Sequence, residues 1–396
     1  MTTIRTTPAL LATLLAALLC APPASAAPSE RHISVRAGSR RVRATLLTRH
    51  QLNQFAGDKT PLIAETTKAL QRKNSKGTKR GFHGAPALGT AVVSLDPHAG
   101  IDKGLRDMLA RGIFGDAQKG FMRFSTGNPN AKEVPQWVPD VRGIGIALPG
   151  GNLSATNQPA QIVARGIDFL NFFHGTFGPL GAPFRWNKLS PKTALRGLGR
   201  LLVGTQPVPD LLRTRYWGYP TVIGSDGNGG LVVARTVFTP VGRDVIGKGT
   251  LSRIANGAKT IAKNLFNPKF QSKKLSQALA TSDVKFEVGV QLYRDPKSTP
   301  MTADGDKAWN VPVIPIATLT LPKQQHDAQL AQQIESKGSF GPQITHNSKT
   351  LRPGQVPNEP AGQFQTDRVS AYEVSSGARG AAPAGNIKIL ESLGDR

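Results

Sequence analysis

The segment Arg368-Val369-Ser370-Ala371-Tyr372 carries a guanidinium one helical turn before a phenol. If the segment is helical, both side chains project from one face. A neighbouring cation favours the charged form of a phenol, and a phenolate is a hard oxygen donor suited to ferric iron. Such a pair is common on ordinary helices, so its meaning depends on what else the chain contains.

Almost three hundred positions upstream stands Arg80-Gly81-Phe82-His83, running into a small-residue apolar stretch over residues 84–91. Gly120-Phe121-Met122-Arg123-Phe124-Ser125 and Asp140-Val141-Arg142-Gly143 follow, then Asn157-Gln158-Pro159 with Arg165 and Phe169 beyond it. Later come Val290-Gln291-Leu292 with Asp295-Pro296, and Ala317-Thr318-Leu319-Thr320-Leu321-Pro322. Each piece alone has a plain structural explanation. A histidine before a strand is usually a hydrogen-bonded structural residue, and an asparagine before Gln-Pro is a natural turn former.

Around these pieces the pattern predicts strands at residues 86–95, 143–148, 221–223, 230–238, 283–293 and 315–321, the turn Ser225 to Gly230 dividing two of them. Helices are predicted over residues 62–70, 104–113, 168–173 and 323–336, and a final one carrying Arg368 and Tyr372. Residues 27–60, basic and Thr-rich, read as an arm before the core, and residues 337–367 as a long surface loop. No internal repeat is visible. Antiparallel strands with helices between and after them indicate an α+β class with an antiparallel β-barrel core and surrounding helices.

The N-terminus reads as an address. Arg5 precedes a Leu/Ala-rich run ending at Pro22-Pro23, and Ala24-Ser25-Ala26 has the small-residue spacing of a cleavage site. Residues 1–26 are therefore expected to be a cleaved secretory signal peptide, with a periplasmic or secreted product. Leu19 before Cys20 is too large for a lipoprotein signal. Cys20 is the only cysteine, so no disulfide is expected to hold the exported chain. The domain plan is a signal peptide (1–26), a basic arm (27–60), a main domain (61–380) and a C-terminal tail (381–396).

The formal net charge is +25, from 50 basic and 25 acidic residues. Clusters at residues 31–43, 68–80 and 259–274 are read as a solvated basic surface or, alternatively, a contact for an anionic envelope. Zinc-finger spacing is lacking and aromatics do not interleave with the basic runs, so nucleic acid is not expected.

Taken in order, the quoted pieces resemble the haem-dependent catalase family, in particular its short catalase-related peroxidases. The resemblance spans roughly residues 78–380 and ends in the family's R-x-x-x-Y-x-x-S-x-x-x-R pattern, here Arg368 to Arg379. It implies a catalase-like fold and haem, of the b type, as cofactor. By the same resemblance, Tyr372 is the axial iron ligand and Arg368 its charge partner. His83 is the distal acid–base group, Asn157 the amide that orients peroxide, and Ser125 the hydroxyl that holds the imidazole. Arg80 and Arg123 match propionate-binding arginines, and Phe169 the aromatic on the porphyrin face.

The chain departs from the family around the distal histidine. Phe82 stands where a small apolar residue is usual, Gly84-Ala85-Pro86 follow the histidine, and Gln161 and Ile162 replace paired phenylalanines. Tyr216-Trp217-Gly218-Tyr219-Pro220 matches its family segment only loosely. The implied activity is removal of hydrogen peroxide with an unidentified electron donor. Two alternatives stay open: organic or lipid hydroperoxides as substrate, and a basic envelope-associated catalase-like protein with weak activity. Oligomeric state is not legible.

Overall fold

The computed structural model describes residues 31–37, 39–56, 88–98, 101–127, 135–138, 140–160, 195, 199, 208–246, 249–301, 307–341, 354–377 and 383–394. Its centre is a closed eight-stranded antiparallel barrel. The strands are β3 (Gly89–Pro97), β4 (Gln118–Thr126), β5 (Arg142–Leu148), β6 (Gly151–Thr156), β7 (Tyr216–Ser225), β8 (Leu231–Pro240), β9 (Val284–Leu292) and β10 (Ile314–Leu321). They follow one another around the wall in chain order, and β10 closes on β3. Closure leaves no unpaired edge.

The inner wall is legible from period-2 patterning. In β9, Val284, Phe286, Val288, Val290 and Leu292 are all buried and meet Met122 and Phe124 of β4 and Ile144 and Ile146 of β5 in one core. Alternate residues of each strand point the other way, outward. That outer wall is covered in two apolar patches, one around Val222, Val233 and Tyr293, the other around Phe121 and Ala147.

Residues 31–56, expected as an arm, form a hairpin of β1 (Arg31–Ala37) and β2 (Arg40–Leu46) followed by helix α1 (Arg49–Ala56). Its apolar alternation, Val35, Val42, Ala44 and Leu46, joins the barrel core. Thr45 N–H donates to Tyr293 O at 2.9 Å and Leu47 N–H to Leu231 O at 3.0 Å, so the hairpin is laid onto the barrel despite its charge.

Helix α2 (Lys103–Leu109) is capped by Asp102, whose Oδ1 accepts from Gly104 N at 2.9 Å. It ends earlier than the expected residue 113, because the chain turns at residues 110–114 to bury Ile113 and Phe114. Helices α3 (Thr250–Asn264) and α4 (Phe270–Thr281) join β8 to β9. Helix α5 (Ala328–Lys337) starts at Asp327, whose carboxylate caps Leu330 N at 2.8 Å; the expected helix began five residues earlier.

Two helices end the chain, α6 (Gln363–Gly377) and α7 (Pro383–Gly394). The expected loop 337–367 is thus shortened by the start of α6. The tail beyond residue 381 is helical and buries Asn386, Ile389 and Leu393 against the barrel. The predicted helices at 62–70 and 168–173 lie outside the described residues, as do residues 1–26.

Candidate functional site

The site is built on the outer wall of β4 to β8. Register aligns Thr90, Arg123, Gly145 and Ser154 across β3, β4, β5 and β6. Strand β7 continues this wall with a bulge between Trp217 and Pro220, where three steps on β7 match two on β8. A bulge re-aims a side chain, and here Tyr219 meets α6, its ring stacked on Phe364 at 6.2 Å between centroids.

The same bulge positions α6. Ala361 N–H donates to Pro220 O at 3.0 Å, and Val222 N–H donates to Glu359 O at 2.8 Å. Gly362 then turns the chain at φ +89°, where an added Cβ would lie 2.6 Å from Met301 O. Only glycine fits both the left-handed backbone and the space.

Along α6, Gln365, Arg368 and Tyr372 follow at spacings of three and four, placing them on one helix face. Arg368 is the hub. Its Nη1 donates to Gln365 Oε1 at 2.8 Å, and its Nη2 to Tyr372 Oη at 3.2 Å and Ser154 Oγ at 3.4 Å. The guanidinium also lies over the Tyr219 ring, 3.7 Å from its centroid. The expected arginine–tyrosine pair is therefore a real contact, braced against β6 and β7.

Arg123 stands on the same outward face, two strands from Ser154. It is buried, with its guanidinium 4.4 Å from the centroid of Phe340. Phe340 fits because position 145 is glycine: a Cβ there would lie 2.7 Å from the ring. Next in chain, Gly341 abuts Tyr372, since a Cβ there would lie 3.2 Å from the tyrosine Cβ. Ser339 to Gly341 thus bridges Arg123 and Tyr372.

Three buried asparagines pin that bridge. Asn152 Nδ2 donates to Ser339 O at 3.1 Å and to Gly341 O at 3.3 Å. Ser339 N–H donates to Asn386 Oδ1 at 2.9 Å, and Asn358 Nδ2 donates to Asn152 O at 2.7 Å. The C-terminal helix α7 therefore supports the site through Asn386.

Ser125 and Asn157 sit further along the wall. Ser125 aligns with Gly143 and Thr156, and its hydroxyl donates to Gly143 O at 3.4 Å. Asn157 is buried, its Oδ1 accepting from Arg142 N–H at 3.1 Å and its own N–H donating to Arg142 O at 2.9 Å. The side-chain carbonyl thus holds the end of the β5–β6 pair. Arg142 is itself locked, donating to Thr126 Oγ1 and Gln136 O, both at 2.7 Å, with Asp140 Oδ2 at 3.5 Å. Arg80, His83 and Phe169, like Arg165 and Arg379, lie outside the described residues.

Two residues of the wall were not singled out from the sequence. Arg235 on β8 is buried, donating to Gly218 O and Pro159 O, each at 3.1 Å. Burial pulls its pKa down to about 10, while Tyr219 opposes the shift. The available signal was a lone arginine inside Leu231-Val232-Val233-Ala234-Arg235-Thr236-Val237-Phe238. Tyr219 was noted only within the loosely matching stretch Tyr216 to Pro220, and its place before Pro220, where a strand bulges, was the structural signal.

Among the described residues, no carboxylate pairs with buried Arg235 or half-buried Arg368. Buried cations are costly unless an anion or several hydrogen bonds compensate them. A phenol within reach of one arginine, on a wall carrying two more, suits an anionic group with an oxygen-seeking metal. These residue types could hold haem: Tyr372 would donate to iron and Arg123 to a carboxylate. No group of three or more His, Cys, Asp or Glu able to hold a metal occurs among the described residues, so a bare metal centre of those donors has no such support.

The barrel and its helices are similar to the solved structure of catalase A from Saccharomyces cerevisiae. The TM-score is 0.55 at 16% identity, covering 78% of this chain and 64% of that one. The chain thus spans somewhat under two thirds of that catalase, with which it shares a catalase-like fold. No protein-family model and no curated protein matches the sequence.

Proposed function

We propose that this chain is an exported haem protein that consumes hydrogen peroxide through tyrosinate-ligated iron. The observation that carries the reading is the contact between Arg368 and Tyr372 on a catalase-like barrel wall that also bears buried Arg123. The ordered motifs that resemble the catalase family, from Arg80 to Arg379, support it independently.

In this reading Tyr372 would hold the iron through Oη, and Arg368 donates a hydrogen bond to that oxygen. Arg123 meets a propionate, where a planar fork suits a carboxylate. Bound haem supplies the redox chemistry that splits the peroxide O–O bond. His83 takes a proton from one peroxide oxygen at a ring nitrogen and returns it to the other. Ser125 would hold the imidazole, Asn157 would orient peroxide through its amide, and Phe169 would pack on the porphyrin. A phenylalanine at 82 and a glutamine at 161 would make the distal side narrower and more polar than in the family, in line with peroxidase turnover with an organic donor.

The test is the absorption spectrum of protein produced with haem supplied. A Soret band with ferric tyrosinate features is expected, and Tyr372→Phe should abolish those features. A wild-type protein that takes up no haem would overturn the proposal. His83→Ala should keep the haem and lose most peroxide consumption. Export belongs to the same reading and predicts a mature N-terminus near residue 27.

A further inference from the structure

Helix α3 turns several polar residues toward the protein: Thr260 is buried, and Arg253, Asn256 and Asn264 are half-buried, with Gly257 and Ile261 beside them. Most of its other apolar residues face solvent. Leu251 is 82% exposed and Phe266, just past the helix end, is 96% exposed. Between them Ile254, Ala255, Ala258, Ala262 and Leu265 are also exposed. Positions 251, 254, 255, 258, 262 and 265 repeat at three and four, so they form one continuous stripe.

The inward anchoring is specific. Arg253 Nη2 donates to Asn157 O, and its guanidinium lies 5.7 Å from the Trp217 ring centroid. Within the helix, Thr260 Oγ1 donates to Asn256 O at 2.6 Å and Asn264 Nδ2 to Thr260 O at 2.9 Å, so these inward polar groups are satisfied. The two Arg253 contacts reach the rest of the protein, and a rotated helix would lose them. Exposing a stripe of this size in water is unfavourable without an occupant.

Charge identifies the occupant. Residues 245–282 contain seven lysines and arginines and no aspartate or glutamate. Lys259 and Lys263 flank the stripe on one side. With Lys273 and Lys274 of α4 they line a cleft of about 400 Å³ between the two helices. At its edge Lys274 donates to Pro209 O at 3.1 Å and lies 3.9 Å from Asp210. Cations alone would suit any polyanion. Cations bordering an exposed row of leucine, isoleucine and phenylalanine suit a surface that is anionic outside and apolar beneath. Fifteen residues are too few to span a bilayer, so the helix would lie flat.

We infer that α3 docks on an anionic lipid bilayer, with Leu251, Ile254, Leu265 and Phe266 entering the acyl boundary while Lys259, Lys263 and Lys273 meet the headgroup phosphates. This inference needs no haem and stands apart from the proposed activity. Through Arg253, the docked helix would hold the segment bearing Asn157 close to the lipid surface.

The experiment is flotation with phosphatidylglycerol-containing and pure phosphatidylcholine vesicles, together with local fluorescence. Cys20→Ser removes the natural thiol, and Phe266→Cys then carries an environment-sensitive label. Binding to the anionic vesicles with a blue-shifted label is expected, weakening as salt rises. Leu251→Ser with Phe266→Ser should weaken binding roughly tenfold or more, and Lys259→Glu with Lys263→Glu should do likewise.

Undiminished binding by the serine variant would overturn the inference, leaving a purely electrostatic surface. So would vesicle binding through residues 1–26 that leaves the label unmoved. A label already blue-shifted in lipid-free protein would mean that another part of the chain or a second copy covers the stripe. All substituted apolar positions are solvent-exposed, so the variants should fold; circular dichroism checks this.

Discussion

The Arg368 guanidinium carbon lies 3.7 Å from the Tyr219 ring centroid, so the cation is clamped between a ring from the barrel wall and the phenol oxygen of its own helix. A planar guanidinium stacks and donates in two directions at once, which an ammonium cannot do. Arg368→Lys keeps the charge and loses both the stack and the fork. Thermal unfolding should show a loss of about 0.5–2 kcal/mol. Under the proposed function, the ferric spectrum should also shift while haem is retained.

Gly145 has a packing role that its place in a strand conceals. A Cβ at this position would meet the Phe340 ring at 2.7 Å, and Phe340 in turn lies over Arg123. Gly145→Val should cost about 1–3 kcal/mol through overpacking, measured by denaturant unfolding. Gly354→Ala is a useful contrast: nothing lies within 4 Å of an added Cβ, so only its φ of +83° would be penalised.

Asn386 tests the support that the C-terminal helix lends to the site. Removing its side chain leaves the buried Ser339 N–H without its 2.9 Å acceptor. Asn386→Ala should therefore destabilise by about 1–3 kcal/mol. If Ser339 to Gly341 braces Tyr372 as described, hydrogen exchange should quicken at residues 339–341 more than in the barrel strands.

Asp295 gives a prediction in acid. Partial burial works against its charge, but the Arg294 side chain and the bonds from Ser298 win, holding its pKa at about 2 rather than 3.8. Its folded pKa is depressed, so its stabilising contribution is complete above the unfolded value and fades as pH falls through 3.8 towards 2. Asp295→Asn should lower the melting temperature at neutral pH, and the gap to wild type should narrow below pH 3.8. The side chain is about 40% exposed, so screening keeps the effect modest.

How much could be read in advance varies with each element's surroundings. Val284 to Leu292 alternates cleanly because its outward positions carry small or polar groups. Strand β4 hides its period: Met122 and Phe124 fill the inner core while Phe121 packs outside, so both faces read as apolar. The hairpin at residues 31–46 does alternate, but its arginines drew attention to charge. Helix α3 carries a helical apolar period in Leu251, Ile254, Ala258, Ala262 and Leu265, but its lysines drew attention to charge.

The sequence by itself determined the antiparallel barrel class, the basic character, and the spacing that places Arg368 and Tyr372 on one helix face. These are local properties, set by period, composition and chain order. Tertiary structure decided what those residues touch: the β7 bulge that brings Tyr219 under Arg368, the register that sets Arg123 in line with Ser154, and the asparagines that tie the last helix to the site. Register and crossing geometry depend on how distant strands close, so no local pattern encodes them.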